Sequence, residues 1–125
     1  MIMQPIETIK ILQNQPDQIF KAGDVIFKTG QKGHVMYGVI EGELEVHLND
    51  HAIETIKAGD VFGVGALVHQ DELRATTVIA KTDCKLACLD REHFLFAVQQ
   101  APMFALQVMK SYSDRFRRLK DIVTL

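Results

Sequence analysis

DQIFKAGDVIFKTGQKGHVMYGVIEGELEVHLNDHAIETIKAGDVFG, residues 17–63, alternates apolar and polar residues in short runs broken by glycine. Alternation with period two is the mark of a half-buried strand, and the breaks fall every few residues. Val39, Leu44, Val46 and Leu48 fit strand faces, while EGE (41–43) and NDH (49–51) carry turn chemistry. KAGDV occurs twice, at 21–25 and 57–61, so two similar turns are expected to feed two similar strands. Many short, closely spaced strands predict a mainly β fold: a β-sandwich, jelly roll or small barrel over about 6–89.

After Asp90 the period changes. DREHFLFAVQQAP opens with a capping aspartate and continues into a short helix through Phe94, Leu95, Phe96 and Val98. Pro102 then suits the first turn of a longer helix, PMFALQVMKSYSDRFRRLKDIV. Ala105, Met109, Tyr112, Phe116, Leu119 and Val123 recur along it at alternating spacings of four and three. Such a stripe packs back onto the β-body or pairs with a second copy of the chain as a homodimer. The whole is expected to be one domain, 1–125, with helices over about 90–123.

Composition excludes several classes of function. The 125 residues are 47% hydrophobic and 24% charged, with a formal net charge of −2, which gives no global attraction for nucleic acid. No apolar run approaches the ~20 residues that span a bilayer, and MIMQPIETIK lacks a signal peptide's shape. A cytoplasmic protein with no membrane contact is expected. Cys84 and Cys88 would lie about 13 Å apart on an extended strand, too far for a disulfide. His34, His47, His51, His69 and His93 are scattered without metal-ligand spacing, which also argues against a cupin-type metal jelly roll. No nucleophile motif appears, so neither enzyme activity nor a metal or cofactor is expected.

One stretch carries chemistry. FGVGAL (62–67) places Gly63 and Gly65 at the start of a short helix, and Arg74 follows in DELRATT. Backbone N–H groups at a helix start together with a guanidinium are one way to hold an anion. Arg74 has a plainer alternative, a surface ion pair with Asp71 or Glu72. Gly65 weakens the helix by about 1 kcal/mol relative to alanine and also admits close approach to the backbone, so both a ligand and a plain turn stay open.

In their order these segments resemble the cyclic nucleotide-binding domain shared by catabolite-activator-type regulators, cyclic-nucleotide-dependent kinases and gated channels. FKAGDVIFKTGQKGHVMYGVIEGELEV is similar to the family's early strands, and AGDVFGVGALVHQDELRATTVIA to its phosphate-binding cassette. CKLACLDREHFLFAV is similar to the strand and helix that follow, and SYSDRFRRLKDI to the closing helix. The resemblance implies a double-stranded β-helix or jelly-roll body with a short helix and a long closing helix. It implies a pocket for cAMP or cGMP formed by Phe62, Gly63, Val64, Gly65, Ala66, Leu67, Arg74 and Ala75, with Arg74 on the phosphate.

The family's cassette carries a glutamate that accepts from the ribose 2′-hydroxyl, and here that position holds Val64. Losing this acceptor costs on the order of 1–3 kcal/mol, about tenfold to a hundredfold in affinity. The resemblance therefore implies a regulatory domain that binds a cyclic nucleotide weakly, or another small anion. A second expectation is a ligand-free interaction or dimerisation module of the same fold. A third comes from the nitrogen-control regulators of the wider family, which share the FGV opening and hold 2-oxoglutarate with help from a long-helix arginine. Arg115, Arg117, Arg118 and Lys120 are the candidates on the long helix, with Arg118 and Lys120 nearest the expected level. With the chain ending at the closing helix, output would pass through homodimerisation or a separate partner.

Overall fold

The computed structural model describes residues 4–123. A helix, α1 (Pro5–Leu12), precedes strands β1 (Gln18–Phe20), β2 (Val25–Phe27), β3 (Val35–Glu41), β4 (Glu43–Leu48), β5 (His51–Lys57) and β6 (Val61–Phe62). The short helix α2 (Gly65–Val68) follows, then β7 (Thr77–Ala80) and β8 (Cys84–Asp90), and finally helices α3 (Arg91–Gln100) and α4 (Pro102–Val123). The strands form two four-stranded antiparallel sheets, ordered β1-β8-β3-β6 and β2-β7-β4-β5. This is the jelly-roll body with C-terminal helices that the family resemblance implies, one of the three architectures the alternation allows. Among the described residues no helix is long and apolar enough to cross a membrane, and no cluster of metal-ligating side chains forms.

The two KAGDV copies fold alike. In each, the aspartate N–H donates to the lysine carbonyl, and the aspartate carboxylate accepts from the lysine N–H. Gly23 and Gly59 hold φ of +90° and +94°, the left-handed value a type II turn needs at its third position. Each turn then docks on a strand by a reciprocal pair of bonds: Gly23 and Asp24 bracket Ala80, while Gly59 and Asp60 bracket Val39. The repeated motif thus fastens one turn to each sheet. The β4–β5 hairpin turns through Asn49 and Asp50, both at positive φ, as two-residue hairpins prefer.

Two cores share the first sheet. Between the sheets lie Phe27, Tyr37, Val39, Leu44, Ile56, Phe62, Leu86 and both cysteines. Alternate residues of β3, β6 and β8 (Met36, Val61, Ala87 and Leu89) face the opposite way, into a layer of helices. β8 is therefore buried on both faces, which explains its nearly unbroken apolar run CKLACL. Cys84 and Cys88 are buried, unbridged thiols, and burial raises the pKa of each. Leu48 departs from the expected strand face and is exposed at the tip of its hairpin.

Residues 6–12 correct the expected β-boundary: they belong to α1. Pro5 occupies the first helical position, and Ile6 and Ile9 lie one turn apart on a buried face. Their seat is Gly38, paired in register with Ala87; a Cβ on Gly38 would come within 2.4 Å of Ile6 Cδ1. Small residues on both strands let the helix approach the sheet.

α3 begins at the Asp90 cap, which accepts from the His93 N–H at 2.9 Å. Pro102 opens α4 as expected. The buried face of α4 runs through Phe104, Val108 and Arg115, beside the predicted stripe. Of the stripe, Ala105 is half-buried and Met109 exposed, while Tyr112, Phe116 and Leu119 border a cavity. The side chain of Val123 lies outside the described residues.

Candidate functional site

A cavity of about 340 Å³ opens between the second sheet, α2, the 73–76 segment and α4. That is within the range of small-molecule sites, toward its lower end. Its wall is largely apolar, from Phe27, Val46, Ile56, Phe62 and Val78, and three of its lining groups carry charge: Arg74, Arg115 and Glu54. Phe116 and Leu119 of α4 also line it, and Phe116 is 68% exposed.

Arg74 is 6% exposed and forms no ion pair with Asp71 or Glu72, which corrects the plainer reading of a surface bridge. The segment preceding it lies antiparallel to residues 30–33: Arg74 N–H donates to Gln31 O, its carbonyl accepts from Gly30, and Lys32 bridges Leu73. These bonds fix the backbone, and the side chain then runs inward. Its guanidinium donates from Nη1 to Gly63 O at 2.9 Å and from Nη2 to Val35 O at 2.8 Å. Its plane stacks 4.1 Å from the Phe27 ring centre and 5.9 Å from that of Tyr37. Nε is buried without a partner.

Two glycines make room for this cation. A Cβ on Gly33 would fall 2.2 Å from Nε, and one on Gly63 would fall 2.9 Å from Nη1. Gly63 also needs its φ of +81° to present its carbonyl to Arg74. Burial lowers the Arg74 pKa, an effect partly offset by Tyr37 and Tyr112, yet guanidinium remains charged at working pH. The same burial raises the Tyr37 pKa against the opposing pull of Arg74. A buried cation held by two carbonyls and an aromatic face, with no carboxylate on it, has charge left to share with an anion.

Around it the cassette divides. Phe62, Gly63, Gly65, Ala66, Arg74 and Ala75 line the cavity. Val64 and Leu67 instead pack into the helix layer, and the Val64 N–H donates to the Tyr112 hydroxyl at 3.1 Å. A Cβ on Gly65 would meet only His69, at an ordinary 3.5 Å, so no steric demand requires glycine there. The first N–H groups of α2 lack partners within their own helix, as at any helix start.

Of the four long-helix candidates, Arg115 lines this cavity. Arg118 lines an adjoining depression that shares Ile53, Glu54, Arg115 and Leu119 with this cavity, and Lys120 is exposed. Arg115 is 7% exposed. Its Nε donates to Glu54 Oε1, its Nη1 to the Val61 carbonyl and to Ser111 Oγ, and it stacks 4.4 Å from the Tyr112 ring centre. Arg115 lies eleven residues beyond Phe104 and seven beyond Val108, on the same helical face. Glu54, 61 residues from Arg115 in sequence, had no local signal.

Comparisons with known proteins bear on the family and the fold. The chain is 37% identical over 92 residues to a cAMP-dependent protein kinase regulatory subunit of Hypocrea atroviridis, covering 74% of this chain and 20% of that protein. It is 33% identical over 96 residues to a cGMP-dependent protein kinase of Plasmodium berghei, covering 77% of this chain and 11% of that one. The chain thus spans a fifth or less of the length of these relatives. Its fold matches the c-di-GMP-responsive global regulator CLP of Xanthomonas campestris with a TM-score of 0.82 at 18% identity, over 96% of this chain and 62% of the other. Residues 17–101, more than half of the chain, match the model of the cyclic nucleotide-binding domain. On that match, with a jelly roll closed by helices around an arginine-bearing cassette, the chain belongs to the cyclic nucleotide-binding domain family.

Proposed function

We propose that this chain is a sensing domain whose cavity takes cAMP or cGMP, with Arg74 holding the phosphate. The observation that carries the proposal is the Arg74 guanidinium: buried in the cavity lining, stacked on Phe27, with Nε unpartnered and no carboxylate on it. An anion placed there gains charge-assisted hydrogen bonds in a site shielded from water. The apolar wall and exposed Phe116 suit a purine, whose faces are flat and weakly hydrated. Val64 offers no acceptor, and that change taken by itself weakens binding by on the order of 1–3 kcal/mol relative to a cassette with a carboxylate at that position.

Occupancy is reported through α4. The helix touches the cassette through the Tyr112–Val64 bond and the cavity wall through Arg115–Glu54. A ligand that moves either contact shifts the balance between docked and undocked α4, by no more than its differential affinity for the two. The output passes to a second copy or to a separate partner in the cytoplasm. No catalytic step belongs to this function.

A second reading, a ligand-free interaction module, draws on the same contacts: Tyr112 and Arg115 already dock α4 on the β-body with the cavity open. The dicarboxylate reading gains less support, because the long-helix arginine it needs is engaged by Glu54. Titration with cAMP, cGMP and 2-oxoglutarate, followed by amide NMR, separates the three. Saturable shifts at Gly63, Gly65 and Ala66 with a cyclic nucleotide support sensing. Flat titrations at millimolar ligand refute it in favour of the interaction module, and a response to 2-oxoglutarate alone favours the third.

A further inference from the structure

We infer that Glu54, on β5, supplies the acceptor that position 64 lacks, reading a hydroxyl or amino donor on the bound nucleotide. The inference rests on the sensing proposal and names the group that sets its ligand preference. Glu54 is the one carboxylate among the described residues lining the cavity, and it comes from the sheet rather than from the cassette. Its side chain is 21% exposed, so it is neither sealed in the core nor loose in solvent.

Arg115 fixes it in place. The bond from Arg115 Nε occupies Oε1, and Arg115 is itself anchored by the Val61 carbonyl and Ser111. Arg115 is the partner shown for Glu54, through Oε1, and in this inference Oε2 is the oxygen that accepts from the ligand. A buried ion pair is a poor device for stability, since desolvation offsets its attraction and apolar side chains of similar size serve as well. As a device for holding one carboxylate oxygen at a set place in an apolar cavity it is well suited. The cavity then presents a cation, Arg74, and an acceptor, Glu54, on one lining surface. That pair matches a ligand with an anionic group and a separate hydrogen-bond donor, which is the chemistry of a cyclic nucleotide.

The test is a cycle of ligands against variants, read by calorimetry on the whole chain. The ligands are cAMP, its 2′-deoxy analogue and its analogue without the 6-amino group. The variants are Glu54→Gln and the double substitution Glu54→Leu with Arg115→Met, which replaces the ion pair by apolar volume so that the fold is kept. In the wild type, deleting the donor that Glu54 reads should weaken binding about tenfold, as expected for one charge-assisted bond. That ratio should fall to about threefold in Glu54→Gln, where the acceptor is neutral, and to about one in the double variant. If Glu54 only props Arg115, the variants weaken all three ligands alike and the ratio persists, which overturns the inference. A wild type indifferent to both deletions overturns it too. A wild type that binds no cyclic nucleotide at millimolar concentration overturns the sensing proposal itself, a result distinct from the other two.

Discussion

Gly33→Ala tests the seat of Arg74 without touching its charge. Gly33 lies outside the left-handed region, so alanine strains no backbone; its Cβ simply arrives 2.2 Å from Nε, 2.3 Å from Cζ and 2.6 Å from Nη2. The guanidinium is the movable partner and must leave. Leaving forfeits its bonds to Gly63 O and Val35 O and its stacking on Phe27. Hydrogen bonds to a charged donor contribute about 1.5–3 kcal/mol each, and a partly desolvated cation–π contact about 0.5–2. Regained hydration of the displaced cation offsets part of that sum, leaving a loss of about 2–4 kcal/mol out of the 5–15 typical of such a domain. The assay is urea unfolding, because guanidinium salts would screen and mimic the group under test. In an Arg74→Ala background the three atoms nearest that Cβ are gone, and the same Gly33→Ala change should cost less than about 0.5 kcal/mol, so the double-mutant cycle closes with a coupling above about 1.5 kcal/mol. Equal costs in the two backgrounds would refute the packing argument.

Other contacts give further expectations. Tyr112→Phe removes the acceptor for the Val64 N–H, so stability should fall by about 0.5–1.5 kcal/mol and exchange of the Val64 amide should speed up; an unchanged exchange rate would show that the bond does not persist in solution. Gly23→Ala and Gly59→Ala both place a Cβ at φ near +90°, costing about 1–2 kcal/mol in thermal unfolding. The Gly59 Cβ would also strike the amide end of Gln4, but that end is flexible, so the two costs should agree within about 0.5 kcal/mol. A much larger loss at Gly59 would mean that Gln4 is held rigidly. The pKa of Asp90 is lowered first by the backbone N–H of His93, then by the His93 ring. Its folded pKa lies below its unfolded one, so the charge contributes stability above the ordinary carboxylate range and loses it as pH falls through the folded value. Asp90→Asn should therefore be less stable than wild type near pH 7 by about 0.5 kcal/mol, with the gap closing in acid; a gap that stays constant down to pH 2 would contradict the assignment.

Local rules made much of the molecule legible. Alternation located the strands, the repeated KAGDV marked two matching turns, and Asp90 and Pro102 marked helix starts, because each signal lies within a few residues of what it determines. α1 was also local, in Pro5 and the turn-spaced Ile6 and Ile9, but its apolar residues are spaced closely enough to merge with the β-pattern that follows. The site was less legible. Gly63, Ala66 and Arg74 stood out by cassette order, yet the partners of Arg74 are the carbonyls of Gly63 and Val35, eleven and 39 residues away. No local pattern encodes which carbonyls a guanidinium will meet. The orientation of α4 stays open in sequence for a related reason: the 4–3 spacing of Ala105, Met109 and Tyr112 suits packing on the body or on a second copy, while burial within the chain follows Phe104, Val108 and Arg115. An arginine on a buried helical face was the clue, and its carboxylate partner lay on a distant strand.

The central claim, that Arg74 is seated to receive an anion, is tested most directly by calorimetric titration of cAMP and cGMP into the wild type and Arg74→Ala. Saturable binding of at least one nucleotide is expected, falling by at least about thirtyfold in the variant for loss of about 2 kcal/mol of charge-assisted bonding. Circular dichroism should show the variant still folded. No heat at millimolar nucleotide, or binding that Arg74→Ala leaves unchanged, would contradict the account.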